Sequence, residues 1–230
     1  MKTKLIYAIA FTFLVQIANA QMIGVKGGVN IADMSMSMAG NNYSPQSIVG
    51  FHLGPVIDFK LQGNLYLNTG LIYSLKGYNL QNVQNSTLAN AASLIGKAKI
   101  SFFDIPFNLA YKIPFSSKFK FVIQGGPYVG LGLGGSIKDP TVIHTGGLNE
   151  SVPIKDFYSY GNVAKADYGV GVGAGFEIGK MIFSANYNYG LRNLWFRPYT
   201  TVIDGSLKIT TLEFSITYMF GNLASNVGTK

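Results

Sequence analysis

The chain has 230 residues, a formal net charge of +8, 48% hydrophobic residues, only 12% charged residues and no cysteine. A soluble domain ordinarily carries about a quarter charged residues, so this composition argues against one, and the lack of cysteine excludes disulfide staples and thiol chemistry. The positive charge is scattered through turns and loops without a basic stripe, which excludes a nucleic-acid-binding surface.

The chain begins MKTKLIYAIAFTFLVQIANAQ. Lys2 and Lys4 precede an apolar run from Leu5 to Val15, and Ala18-Asn19-Ala20 fits the small-residue cleavage signature. Residues 1–20 therefore read as a secretory signal peptide, too short in its apolar part to span a bilayer as a helix. Its removal takes away two lysines and no acid, leaving 210 residues with a charge of +6. The remainder has no run of 18 apolar residues. An exported chain that is apolar, poor in charge and without a membrane helix points to a transmembrane β-barrel.

From there the apolar pattern has a period of two nearly everywhere. It predicts eight strands, over 22–33, 48–60, 65–77, 99–112, 119–134, 167–178, 181–192 and 207–220. The fifth contains Gly130-Leu131-Gly132-Leu133-Gly134-Gly135, which fits the G-x-G-x-x-G spacing of a dinucleotide-binding loop. That loop requires a tight turn leading into a helix. Here the glycines alternate with Val129, Leu131 and Leu133, and Ser136-Ile137-Lys138-Asp139-Pro140 starts no helix, so the stretch reads as a glycine-faced strand. The connections alternate short (61–64, 113–118, 179–180) and long (34–47, 78–98, 135–166, 193–206), as in outer-membrane barrels with short periplasmic turns and long extracellular loops. The expected fold is all-β: an eight-stranded antiparallel up-and-down transmembrane barrel spanning 21–220, with a tail at 221–230.

A secreted lipocalin-like barrel would have a wet exterior dense in Lys, Glu and Asp. The polar face here is mostly Gly, Asn, Ser and Thr, which suits the narrow interior of an eight-stranded barrel, so the apolar face is assigned to lipid. Phe59, Tyr111, Tyr218 and Phe220 at one level, and Phe51, Tyr73, Phe103 and Tyr189 at the other, are the expected aromatic girdles. The inward rows carry Lys26, Asp58, Lys60, Lys76, Asp104, Lys112, Lys120, Asp167, Glu177, Arg192, Lys208 and Glu213, joined by His52. Buried charges need partners, and the expected network is built from Lys26, His52, Lys76, Asp104, Glu177, Arg192 and Glu213. The alternative for the same residues is a narrow conduit or a proton-sensitive gate at His52.

A serine hydrolase needs a Ser, a His and an acidic orienter in contact. The only histidines are His52, which faces inward, and His144, in a loop with Asp139 and Glu150, and there is no G-x-S-x-G elbow. No enzyme activity, catalytic residue or cofactor is expected. Two separated histidines and no cysteine do not make a zinc site, and Asp139, Glu150 and Asp156 lack the spacing of a calcium loop.

The stretches "GVKGGVNIA" (24–32), "GFHLGPVIDFKL" (50–61), "FFDIPFNLAYK" (102–112), "GGPYVGLGLGG" (125–135), "DYGVGVGAGFEIG" (167–179) and "LEFSITYMF" (212–220) together resemble the PorT-like family of outer-membrane β-barrels, which are OmpA-like in being eight-stranded. The resemblance covers nearly the whole mature chain and rests on the order and spacing of these runs. It implies a Gram-negative bacterial outer-membrane location and defines no catalytic residues. The aromatic end at Phe220 resembles the signal read by the barrel-insertion machinery, and the tail "GNLASNVGTK" departs from it. The expected role is structural, or surface interaction through the loop 135–166. The alternatives are a small-solute conduit and a component of a transport or secretion apparatus. The expected partners are outer-membrane lipid and lipopolysaccharide, the insertion machinery, and an extracellular or secretion-system protein.

Overall fold

A computed structural model of the chain describes residues 21–38, 41–80, 96–138, 142–143, 149–150, 158, 163–194 and 205–222. The signal-peptide reading of 1–20, His144 and the last eight residues of the tail lie outside the described residues.

Eight antiparallel strands close into a ring: β1 (Gln21–Met38), β2 (Gln46–Gln62), β3 (Leu65–Gly70 and Ile72–Leu80, interrupted at Leu71), β4 (Gly96–Pro114), β5 (Phe119–Lys138), β6 (Ala166–Ile178), β7 (Met181–Gly190) and β8 (Gly205–Asn222). Each strand pairs with the next, and β1 closes the ring on β8, with Val29 opposite Phe214. Closure removes the unpaired edges that a sheet of this apolarity would otherwise present. At one end lie Gln21, Asn222 and the tight turns, where Gly63 (φ 55°) and Gly179 (φ 61°) supply the left-handed conformation a short hairpin needs. The strand ends that the long connections join are all at the other end. In that loop end, Val142–Ile143 pairs with Asn149–Glu150 as a small separate hairpin.

The strands have the expected number and order but run further at the loop end. β1 continues five residues past 33 to Met38, and β5 four past 134 to Lys138. β8 begins at Gly205, two residues before 207, and at the opposite, turn end it reaches Asn222, into the stretch read as tail. The reason is a change of polarity between the two faces. Through the turn-end part of the barrel, Val25, Val29 and Ile31 of β1 face outward while Lys26 and Asn30 face in. Past Ala32 the sense inverts: Met34 and Met36 are buried inside, and Asp33 and Ser35 face out. The inversion recurs in β4, where Ala98 and Ile100 are buried and Lys97 and Lys99 exposed. It recurs in β8, where Leu207 and Ile209 are buried on either side of Lys208. A sheet with apolar residues outside is solvated by lipid, and one with apolar residues inside by water. The level of inversion therefore marks the membrane edge, above which the barrel continues as a water-exposed collar.

That collar corrects two expectations. Lys208 does not face the lumen, because its neighbours Leu207 and Ile209 do. The interior is also not small and polar throughout. Its loop end is an apolar plug of Met34, Met36, Tyr78, Ile100, Phe102, Leu207 and their neighbours. On the outside, both girdles are visible as ring contacts: Phe51, Tyr73 and Phe103 in series at 5.8 and 6.2 Å towards the loop end, and Tyr218 with Phe220 at 5.4 Å at the turn end.

Candidate functional site

Among the described residues, the lumen is where charged groups of opposite sign are brought into ion pairs. Alternation directs them there, because each inward residue follows an outward apolar one on a strand held in register on both sides. They fall into tiers.

Nearest the turns, the Lys112 ammonium lies 2.7 Å from Asp58 Oδ2 and 2.7 Å from Glu177 Oε2. Lys120 reaches Glu177 Oε1 at 2.5 Å, Asn68 donates to Asp58 Oδ1 at 2.5 Å, and the Tyr66 ring lies 4.4 Å from the Lys112 ammonium. The cluster draws β2, β3, β4, β5 and β6 together across the barrel. In the middle tier Lys26 pairs with Glu213 at 3.3 Å, and Gln124 donates to Asn186 Oδ1 at 2.5 Å. Towards the plug, Lys76 pairs with Asp104 at 2.8 Å and lies against the rings of Phe102 and Tyr128, while the Tyr128 hydroxyl donates to Asp167 at 3.1 Å.

Of the seven residues expected to form the network, Lys26, Lys76, Asp104, Glu177 and Glu213 are in ion pairs, and His52 is in the same interior. Arg192 is not. β7 ends at Gly190, and Arg192 lies beyond it, its backbone N–H donating to the Tyr168 carbonyl at 3.3 Å; it makes no ion pair among the described residues. Glu177 is served by Lys112 and Lys120 instead.

His52 has partners that sequence reasoning did not connect to it. Asn30 Nδ2 faces three acceptors, Ser74 Oγ at 2.9 Å, the Phe51 carbonyl at 3.2 Å and the Leu75 carbonyl at 3.3 Å. That orientation turns Asn30 Oδ1 to His52 Nδ1, so Nδ1 carries the proton and Nε2 accepts from the Ser215 hydroxyl at 2.9 Å. A Ser–His–Asn chain results, with the connectivity of a hydrolytic relay. Gly28 makes the room for it: a Cβ there would sit 2.8 Å from the His52 ring. The relay is sealed, however. Ser215 is 5% exposed, and among the described residues the lumen holds cavities of about 30 Å³, one beside Lys26, Asp58 and Lys112 and another beside Lys76, Asp104 and Glu213, while the apolar groove of about 550 Å³ that Ser215 borders lies on the outer face among Val29, Phe176, Phe183, Phe214 and Ile216. Each lumen cavity has the size and polar lining for a single water, and neither admits an acyl substrate.

The glycines of β5 serve the same packing. A Cβ at Gly130 would meet Asp104 Oδ1 at 2.7 Å, and one at Gly132 would overlap the Tyr158 hydroxyl at 1.7 Å. Gly132 is thus the seat for Tyr158, which enters the barrel mouth from the longest loop and joins the apolar plug with Val163 and Leu194. The spacing that imitates a nucleotide loop makes space for side chains. Among the described residues no group of three or more His, Asp or Glu side chains is placed to hold a metal ion. Asp139 and Asp156 lie outside the described residues.

The family model for an outer membrane protein beta-barrel domain matches residues 18–195. No curated protein matches the sequence. Among solved structures, the chain is similar to OprG from Pseudomonas aeruginosa, with 11% identity, 89% of this chain and 98% of that one covered, and a TM-score of 0.45. It is similar to Ail, the attachment invasion locus protein of Yersinia pestis, in complex with the heparin analogue sucrose octasulfate, with 11% identity, coverages of 87% and 99% and a TM-score of 0.38. It is also similar to the outer membrane enzyme PagL, with 10% identity, coverages of 82% and 98% and a TM-score of 0.40.

Proposed function

The chain belongs to the outer membrane protein beta-barrel domain family, and from that premise we propose that it is a non-conducting, non-enzymatic barrel that works at the cell surface through its loop end. The observation that carries this reading is the filled lumen. Five ion pairs line it from the turn end up to the edge of the plug, an apolar plug closes its loop end, and the cavities between the charged tiers hold about one water each. Planar-bilayer recording on the refolded protein tests it. The expected trace is flat at moderate voltage. Steady conductance in the nanosiemens range overturns the closed lumen and promotes the alternative, a small-solute conduit or transport component.

The finer assignments rest on the N-terminal sequence and on strand parity. We infer that residues 1–20 are a cleaved signal peptide, that both ends of the barrel are periplasmic, and that the connections after β1, β3, β5 and β7 are extracellular. An epitope inserted near Gly147 is expected to be accessible to antibody on intact cells, and one near Ser117 inaccessible until the outer membrane is opened. The reverse result inverts the barrel and moves the surface role to the turns. The likeness to PorT-like proteins adds an extracellular or secretion-system protein as the partner class, with residues 139–165 as the contact. The insertion machinery would read the strand end at Tyr218 and Phe220, both exposed on the lipid face.

A further inference from the structure

Above the loop-end girdle the outer face of the collar carries three lysines together on β4 and β5, whereas the outward Lys208 of β8 stands apart from them, on the strand that pairs with Asp33 and Ser35 of β1. Lys97 of β4 stands directly opposite Lys138 of β5, and Lys99 lies two residues below Lys97 on the same face. The row continues from Lys97 to Asn79 of β3, and from Asn79 to Gln46 of β2, to which Asn79 donates at 3.2 Å. All three lysines are exposed, and none takes part in an ion pair among the described residues. Two ammonium groups placed face to face across a strand pair destabilise the sheet unless an anion lies between them. The position of the row identifies that anion. Phe51, Tyr73 and Phe103 form the girdle immediately below. With about 3.3 Å of rise per residue and a tilt near 40°, Lys99 lies about 10 Å and Lys97 about 15 Å beyond Phe103. That is the depth of lipid headgroups, where lysines are attracted to anionic lipid.

We propose that Lys97, Lys99 and Lys138, with Asn79 and Gln46 alongside, form a binding site for the phosphate groups of a phosphorylated glycolipid of the outer leaflet. Three ammonium groups converge on phosphate oxygens, and the two amides serve the neighbouring sugar hydroxyls. The site deepens the surface reading above and rests on the loop end facing outward. Binding in micelles does not depend on the direction of insertion, so this site and the topology stand or fall by different measurements.

The test uses the full folded chain in zwitterionic micelles with hexa-acylated lipid A bisphosphate as the probe, and reads retained lipid by native mass spectrometry across a concentration series. The variant is K97Q/K99Q/K138Q. The control, K60Q/K118Q/K180Q, removes the same charge from the turn end. Heat-modifiable gel mobility reports that each has folded. At about fivefold per lysine, the rim variant is expected to bind about a hundredfold more weakly at low salt, and the control within about twofold of the parent. The difference should shrink in about 0.5 M salt, and lipid A stripped of both phosphates should not distinguish the proteins. Equal binding by parent and rim variant overturns the proposal, as does an equal loss in the control. Inorganic phosphate or a soluble heparin oligosaccharide bound by the three lysines in preference to lipid A also overturns it, the first leaving a free-ion site and the second a polysaccharide receptor.

Discussion

Lys112→Met is expected to destabilise the barrel by about 3–5 kcal/mol, the cost of leaving buried charges without their partner. Lys112 neutralises two carboxylates, and the side chains of Lys112 and Asp58 are each 2% exposed. Methionine fills the volume but leaves Asp58 with only the Asn68 amide and Glu177 with only Lys120. Lys120→Met is the comparison, because the Lys120 side chain is 33% exposed at the turn-end rim and solvent screens its pair. Its loss should be about 1 kcal/mol or less. The triple variant K112M/D58N/E177Q removes the charges together and should recover most of the stability lost in the single variant. Urea titration of folding into vesicles, followed by heat-modifiable gel mobility, measures all three. Equal losses for Lys112→Met and Lys120→Met would show that the cluster is as wet as the rim, and the closed lumen would go with it.

What could be read from sequence alone follows from the rigidity of the strand period. Alternation sets the face of every residue once one residue is placed, so the inward positions of Lys26, His52, Lys76, Asp104, Glu177 and Glu213 were legible without any knowledge of pairing. Their partners were not. Lys112 meets Glu177 across the lumen, and that meeting depends on barrel tilt and shear, which leave no mark in a local pattern. Arg192 lies beyond its strand because the apolar alternation does not announce that β7 stops at Gly190. Lys208 was misplaced for a more instructive reason. The stretches around Met34, Ala98 and Leu207 keep the period of two while exchanging which face is apolar. Read as a single amphipathic sense, they end the strand. Read as an inversion, as in the alternation of Met34, Ser35, Met36 and Ser37, they signal a strand that has left the bilayer. The Ser215–His52–Asn30 chain was invisible because its members come from three strands, and two of them are residue types the lumen holds in excess.

Val172→Arg is expected to reduce assembly far more than Gly171→Ser, although the two positions are adjacent. Val172 is 64% exposed on the outer face, in the middle of β6 and opposite Tyr187 and Gly125. Near the bilayer midplane an arginine on that face costs about 2–4 kcal/mol. Gly171 faces the lumen. A Cβ there would come within 2.3 Å of Asn188 Oδ1, with its next contacts at 3.4 and 3.7 Å. The single close atom is the end of a side chain that can swing aside, so serine should be accommodated. Gly175, four residues along the same inward row, supplies the contrast. Its Cβ would lie 2.2 Å from the Phe183 carbonyl oxygen, and backbone held on both sides by the sheet does not yield. Gly175→Ser should therefore assemble less well than Gly171→Ser, despite identical chemistry. Yields of folded protein in the outer-membrane fraction rank the three variants. Normal assembly of Val172→Arg with failure of Gly171→Ser would exchange the lipid and lumen faces of β6. Because β6 is locked in register to both β5 and β7, that exchange would reverse the assignment of those neighbouring strands as well.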